Sequence, residues 1–270
     1  MSKYIPTIII SEVLDTKLSF ALSKYLSRDT PNFPKVLMNA CTPSILIGSN
    51  QTKKSYNAKK IKENNIDSII RSTEGGSMYV DSQTLWVQIL DKSDVFESTF
   101  KNRGIITKSI KKIIPNALMD YRGIILCNNK RIGADAINIL HGEHEFYISI
   151  NADLEEANEY LKCDNTDFVK NYNDELGNMD DYCYSASEDI HLRLCNQLIN
   201  NIAKKYGKVN CHFIRTDNPY DFDFEKKIMN NKTFKKENKN ESLFDDKIIN
   251  ESDLLKIPKI KEYYDNLIKK

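Results

Sequence analysis

The absences in this 270-residue chain narrow its function first. No apolar run approaches the roughly 20 residues of a membrane span. With a mean hydropathy of −0.52 and 29% charged residues, the composition predicts a water-soluble chain with no membrane partner. An excess of one charge is also missing: 39 Lys and Arg stand against 38 Asp and Glu, a net +1. No global field therefore argues for nucleic acid, and any anion site must be local. The six cysteines, at 41, 127, 163, 183, 195 and 211, include no C-x-x-C pair. They predict a reducing compartment rather than a disulfide scaffold. The four histidines form no zinc pattern, because His141-Gly142-Glu143-His144 lacks the i, i+4 spacing that puts two imidazoles on one helical face. No structural metal is expected. The start, Met1-Ser2-Lys3-Tyr4-Ile5-Pro6, has no h-region and no Arg-rich transit character. A cytoplasmic location is expected, or the mitochondrial matrix in a eukaryote, although without a clear transit peptide.

Glycine numbers only nine, and two of them are adjacent within Ile69-Ile70-Arg71-Ser72-Thr73-Glu74-Gly75-Gly76-Ser77-Met78-Tyr79-Val80-Asp81. A β-branched run enters this stretch and Leu85-Trp86-Val87-Gln88-Ile89-Leu90 follows it, which predicts a tight turn between two strands. Glycines without Cβ atoms let backbone N–H groups approach an anion, and Arg71 would supply a forked cation. An ordinary hairpin turn is the competing reading.

In chain order, Ile8-Ile9-Ile10 reads as a strand. Asp15 or Thr16 can cap a helix whose Leu18, Ala21, Leu22, Tyr25 and Leu26 fall on one face. Strands are predicted at 35–39 and 44–48, the second ending in the polar turn Gly48-Ser49-Asn50-Gln51-Thr52. Residues 56–65 suggest a short Lys-rich helix. Ile105, Ile106, Ile110, Ile113 and Ile114 mark an amphipathic helix stopped by Pro115. Ile124 to Cys127 reads as a strand, Asn128-Asn129 as a turn that tolerates positive φ, and Lys130 to Ala136 as the returning strand. Its basic tip could lie in water or aim at the anion held by Arg71. Residues 145–151 alternate as a strand, Asp153 opens a short helix, and 164–181 reads as a surface loop. Ser185 and Glu188 suggest a capping box for a long helix ending at Gly207. Residues 224–240, dense in lysine and asparagine, read as loop or disorder, and 257–270 as at most one helix.

These motifs, in this order, resemble the lipoate-protein ligase A family, relatives of the biotin-protein ligases. Pro43-Ser44-Ile45-Leu46-Ile47-Gly48-Ser49-Asn50-Gln51 looks like its first motif, with Gln51 at the glutamine position. Within the signature Arg-Arg-x-Ser/Thr-Gly-Gly-Gly-Ala-Val-Tyr/Phe-His-Asp, residues Arg71, Thr73, Gly75, Gly76, Tyr79 and Asp81 match. Arg131-Ile132-Gly133-Ala134-Asp135-Ala136 looks like Lys-Ile/Val-Ser-Gly-Ser-Ala, and His144 and Asn151-Ala152-Asp153-Leu154 fit the strand that follows.

The resemblance implies an α/β fold, a mixed sheet packed with helices of the biotin/lipoate-ligase, class II synthetase-like kind. It implies a catalytic domain over 1–210 and a short, charged C-terminal extension over 211–270 in place of a full accessory domain. ATP, Mg²⁺ and lipoate, or lipoyl-AMP, would be the small molecules. The acyl group would pass to a lysine of a lipoyl domain in a 2-oxoacid dehydrogenase or a glycine-cleavage carrier, and a second ligase subunit is a possible partner. Arg131 or Lys130 would take the place of the catalytic lysine. Gln51, Arg71, Gly75, Gly76, Ser77, Met78, Tyr79, Asp135, Ala136 and His144 would bind ATP or the adenylate. Arg71, the amides at 75–77 and the 130–131 tip would then converge on one acyl-phosphate pocket.

The departures are specific. Ile70 replaces one of two arginines, Glu74 a glycine and Val80 a histidine. Tyr121-Arg122-Gly123 replaces an Asn-Asp, and Ala134 and Phe146 replace glycines, which would crowd the acyl tunnel. Three readings follow: an active ligase or acyltransferase, one variant of which takes a preformed adenylate or thioester; a degenerate paralogue that binds a lipoyl domain or an active ligase; and an unrelated nucleotide- or acyl-binding module.

Overall fold

The long apolar runs form the middle of the molecule because their strands are covered on both faces. The computed structural model describes residues 6–28, 34–52, 54–91, 95–139, 141–161, 176–183, 187–207, 209–214 and 249–250. Its first half runs β1 (Thr7–Leu14), α1 (Thr16–Arg28), β2 (Lys35–Cys41), β3 (Ser44–Ile47), α2 (Ala58–Glu63), β4 (Asp67–Ile70), β5 (Met78–Val80) and β6 (Thr84–Leu90). Then come α3 (Val95–Lys111), β7 (Leu118–Met119), β8 (Ile124–Cys127), β9 (Lys130–Asn138), β10 (Glu143–Ser149), α4 (Leu154–Tyr160), α5 (Ser187–Tyr206), β11 (Asn210–Ile214) and β12 (Ile249–Asn250).

An eight-stranded mixed sheet has the order β11-β1-β2-β6-β10-β9-β8-β7, and a four-stranded one the order β12-β4-β3-β5. Alternation along each strand sorts side chains between two cores. On one face of the large sheet, Leu85, Val87, Ile89, Phe146 and Ile148 meet Ile106 and Ile110 of α3 and Leu194 and Leu198 of α5. On the other face, Trp86, Leu90 and Tyr147 meet Phe20 and Leu22 of α1 and Leu46, Ile69 and Met78 of the small sheet. The small sheet's far face carries Ile45, Ile47 and Tyr79 against Ile61 of α2 and Ala157 and Tyr160 of α4.

Local signals place the ends of these elements. Asp15 Oδ1 accepts the Leu18 amide at 3.0 Å, so Asp15 rather than Thr16 caps α1. Asn128 and Asn129 have φ of 46° and 65°, the left-handed pair of a two-residue hairpin. Gly207, at φ 86°, donates its amide to Ala203 and ends α5. The helix before Pro115 ends earlier than its periodicity predicts, at Lys111, and a tighter turn carries Ile113 and Ile114. The glycine turn departs from the hairpin reading. The strand after it is Met78–Val80, which pairs with β3 and not with β4, so the turn arches across β3. The proposed boundary at residue 210 falls at the start of β11, which pairs in parallel with β1, and β12 pairs with β4. Residues Ser185, 224–240 and 257–270, and most of the 164–181 loop, lie outside the described residues.

Candidate active site

The arch is held from beneath. The Arg71 amide donates to Ile47 O at 2.8 Å, Ser49 N to Thr73 O at 3.0 Å and Glu74 N to Ile137 O at 3.1 Å. Gly75 has φ of +125°, and a Cβ on Gly48 would lie 2.0 Å from the Gly75 carbonyl oxygen, so both positions require glycine. The Arg71 side chain turns inward and is 1% exposed. Its Nη2 donates to Gly76 O at 2.7 Å, Nη1 lies 3.8 Å from Glu145 Oε2, and the guanidinium carbon sits 5.4 Å over the Tyr147 ring.

Glu145 is fully buried and also accepts from Thr73 Oγ1 at 2.8 Å, Tyr147 Oη at 2.6 Å and Gln88 Nε2 at 3.2 Å. Burial raises its carboxyl pKa while Arg71 pulls the other way. A second tie joins Ser72 Oγ to Glu143 at 2.8 Å, with Lys24 Nζ 3.1 Å from both side chains. Arg71 thus ties the turn to β10, which departs from its expected place facing an anion. Glu74 and Gly76 form the exposed part of the turn.

A narrow cavity of about 40 Å³ opens beside this arch. Met78 and Tyr79 of β5, Ala134 of β9, Tyr147 of β10, residues of α4 and Leu176 line it, and among the described residues Arg131 is the charged one. A bulge aims Arg131. Ile125 pairs with Gly133 but Leu126 with Arg131, which leaves Ile132 as the extra residue of β9. Ile132 packs in the helix-side core, and Arg131 shares the cavity face with Ala134. Lys130 points elsewhere: it is exposed at the hairpin tip, and its Cβ would meet one built on Gly177 at 3.1 Å. The Gly177 amide donates to Arg131 O at 3.0 Å and seats the Leu176 segment on the strand.

The α4 side is equally fixed. Asp153 caps α4 at the Glu156 amide, 2.8 Å away, and donates its own amide to Asp81 Oδ2 at 2.9 Å. Burial raises the pKa of the Asp81 carboxyl. The Tyr79 hydroxyl donates to Glu156, and burial pushes that phenol up.

Other expected site residues lie away from the cavity. Asp135 and His144 are on the opposite, helix-side face. The Asp135 carboxylate takes Arg103 Nε at 2.6 Å and Nη2 at 3.2 Å and pairs with His144 Nε2 at 2.9 Å. Burial lowers the His144 pKa despite that carboxylate. Phe146 lies against the His144 ring on the same side, 4.1 Å between centroids, so it does not crowd the cavity; Ala134 does line it. Ala136 is buried between the two sheets. Ser77 Oγ lies 2.7 Å from Ser55 Oγ, and Gln51 Nε2 contacts Asn50 Oδ1 at 3.4 Å on the turn beside Gly75. Met78, Tyr79 and Arg131 therefore share the cavity, whereas Arg71, Asp135, Ala136 and His144 do not line it. The sequence reading missed Tyr147, although strand alternation puts residues 145, 147 and 149 on one face.

The mixed sheets packed with helices form a lipoate-ligase-like α/β fold. Residues 15–199 match the family described as the lipoyl protein ligase A/B catalytic domain, and the chain belongs to that family. It is 26% identical over 164 residues to a putative lipoate-protein ligase A of Schizosaccharomyces pombe, a match covering 59% of this chain and 45% of that one. The chain spans less than half the length of the curated relatives it matches. Solved structures that share its fold include two lipoate ligases. One is P. falciparum LipL1 in complex with lipoate, with a TM-score of 0.63 and 22% identity over 77% of this chain and 66% of that one. The other is the bipartite lipoate protein ligase of Thermoplasma acidophilum with its E2 lipoyl domain, with a TM-score of 0.64 and 17% identity over 78% and 88%.

Proposed function

We propose that this chain binds an acyl carboxylate of the lipoate class, or its adenylate, and passes the acyl group to the ε-amine of a lysine on a lipoyl domain. One observation carries this reading: a narrow, mostly apolar cavity that, among the described residues, has Arg131 as its charged lining residue. An acyl tail would lie among Met78, Ala134 and the α4 residues, with its carboxylate or acyl phosphate at the guanidinium. Arginine matches both oxyanions with paired donors. Mg-ATP enters as substrate at the exposed Gly75-Gly76 side of the arch. In the transfer step the lysine amine attacks the acyl carbon, AMP leaves with the bonding electrons, and the amine's proton goes to solvent. We place this chemistry in the cytoplasm, or in the matrix of a mitochondrion. The reading is tested by mass spectrometry of an apo lipoyl domain incubated with the protein, Mg-ATP and a panel of lipoate and straight-chain acids. A mass increase equal to the acyl group supports it; an unchanged domain with every acid, with ATP and with presynthesised acyl-AMP overturns it.

A second reading rests on Arg71. Its Nη2 is bonded to Gly76 O beneath the turn with Nη1 3.8 Å from Glu145, and Glu74 puts a carboxylate on the exposed side, where a triphosphate would approach. Both features favour a chain that accepts a preformed adenylate or thioester over one that activates the acid itself. The same features suit a paralogue that only binds a lipoyl domain or an active ligase. Calorimetric titration separates these cases. Tight binding of lipoyl-AMP without ATP binding supports the transferase, and binding of neither supports the partner role.

A further inference from the structure

We propose that Tyr147 determines acyl specificity by closing the inner end of the cavity, so that the site takes short, unbranched acyl carboxylates in preference to ring-bearing lipoate. The inference rests on the acyl-binding reading above. Tyr147 lines the cavity while Arg71, against its ring, does not. The ring is held on three sides. Trp86 stacks on it at 6.3 Å with planes 9° apart, the Arg71 guanidinium sits 5.4 Å from its centroid, and its hydroxyl donates to buried Glu145 at 2.6 Å. A rotamer change would break the bond to Glu145 and unstack Trp86, each at a real cost in a packed interior. Beyond the ring lie the Arg71 and Glu145 side chains, both fully buried, which offer an apolar tail no room.

The cavity's other fixed point is Arg131. Tyr147 pairs with Ala134, and Arg131 lies three residues back along β9 with one bulged residue between. At the rise of a β-strand the two backbone positions are roughly 7–10 Å apart, so the cavity between them is short and a terminal five-membered ring would lie against the Tyr147 face. Met78, unbranched and adaptable, can shift to admit a slim chain, but the wedged aromatic ring cannot.

The test is calorimetric titration of the full chain with butanoyl-, hexanoyl-, octanoyl-, decanoyl- and lipoyl-AMP. Wild type is expected to favour hexanoyl or octanoyl over lipoyl by tenfold or more. Tyr147→Ala should bring decanoyl- and lipoyl-AMP up at least tenfold relative to hexanoyl. Tyr147→Phe, which keeps the ring and loses the Glu145 bond, should leave the order unchanged. If Tyr147→Ala does not fold, Ala134→Val decides, because it narrows the cavity from the paired position and should weaken the longest accepted chain most. An unchanged chain-length order in the folded Tyr147→Ala protein, or failing that in Ala134→Val, overturns the inference. A wild type that already prefers lipoyl overturns it too. Binding of no acyl adenylate by wild type would instead bring down the acyl-binding reading itself.

Discussion

Two arginines that look alike in the sequence have opposite fates. Arg131 lines the cavity, where its forked donors can hold and polarise an oxyanion. Arg131→Ala is expected to weaken lipoyl- or octanoyl-AMP binding at least tenfold, about 1.4 kcal/mol. Arg131→Lys should keep most of the affinity, and Lys130→Ala, at the exposed tip, should change it less than twofold. Titration of the three variants with the same adenylate is the check. Arg71 is a structural charge. Replacing it with Met strands Glu145 in a fully buried site, and breaking such a pair costs about 3–5 kcal/mol. Denaturant unfolding should show that loss at neutral pH. Without Arg71 the Glu145 pKa rises further, so protonation relieves the buried charge and the deficit should shrink as pH falls.

At the scale of elements, the arch of residues 71–77 depends on a contact between two turns. Gly48→Ala would drive a methyl group into the Gly75 carbonyl oxygen, 2.0 Å away, where backbone must move. Overpacking of this kind costs roughly 1–3 kcal/mol, and displacing Gly75 should also weaken adenylate binding. A melting-temperature drop with reduced calorimetric affinity is the expected pair of results. Most of the elements were legible because their signals are local: apolar runs, the Asp15 cap, the Asn128-Asn129 turn and the Gly207 stop. The separate strand Met78–Val80 was not, because its partner β3 is more than thirty residues away and three residues carry no period. The site was legible in part for a related reason. Arg131 and Lys130 were both candidates, and only the bulge at Ile132, a property of pairing with β8, turns Arg131 to the cavity. His144 and Asp135 carry the right residue types, but strand alternation places them on the helix side.

Over the whole molecule, the large sheet separates two kinds of interior. The side toward the small sheet carries the cavity and the Arg71–Glu145 tie, and the helix side is the larger apolar core. His191 of α5 is buried, and that burial lowers its pKa to about 4. Native His191 therefore stays neutral until about pH 4, while an unfolded chain protonates it below about pH 6.5. Between those values the unfolded state binds more protons, so stability rises with pH across the window. The contribution is complete above pH 6.5 and is lost as pH falls toward 4, on the order of 3 kcal/mol in all. Lowering of the His144 pKa by burial acts with the same sign. Unfolding free energies of wild type and His191→Gln, measured from pH 7 to pH 4, isolate the effect, because glutamine does not titrate. The two curves should converge toward acid pH, with wild type losing more stability than the variant. Parallel curves would mean that His191 protonates as readily in the folded core as in the unfolded chain.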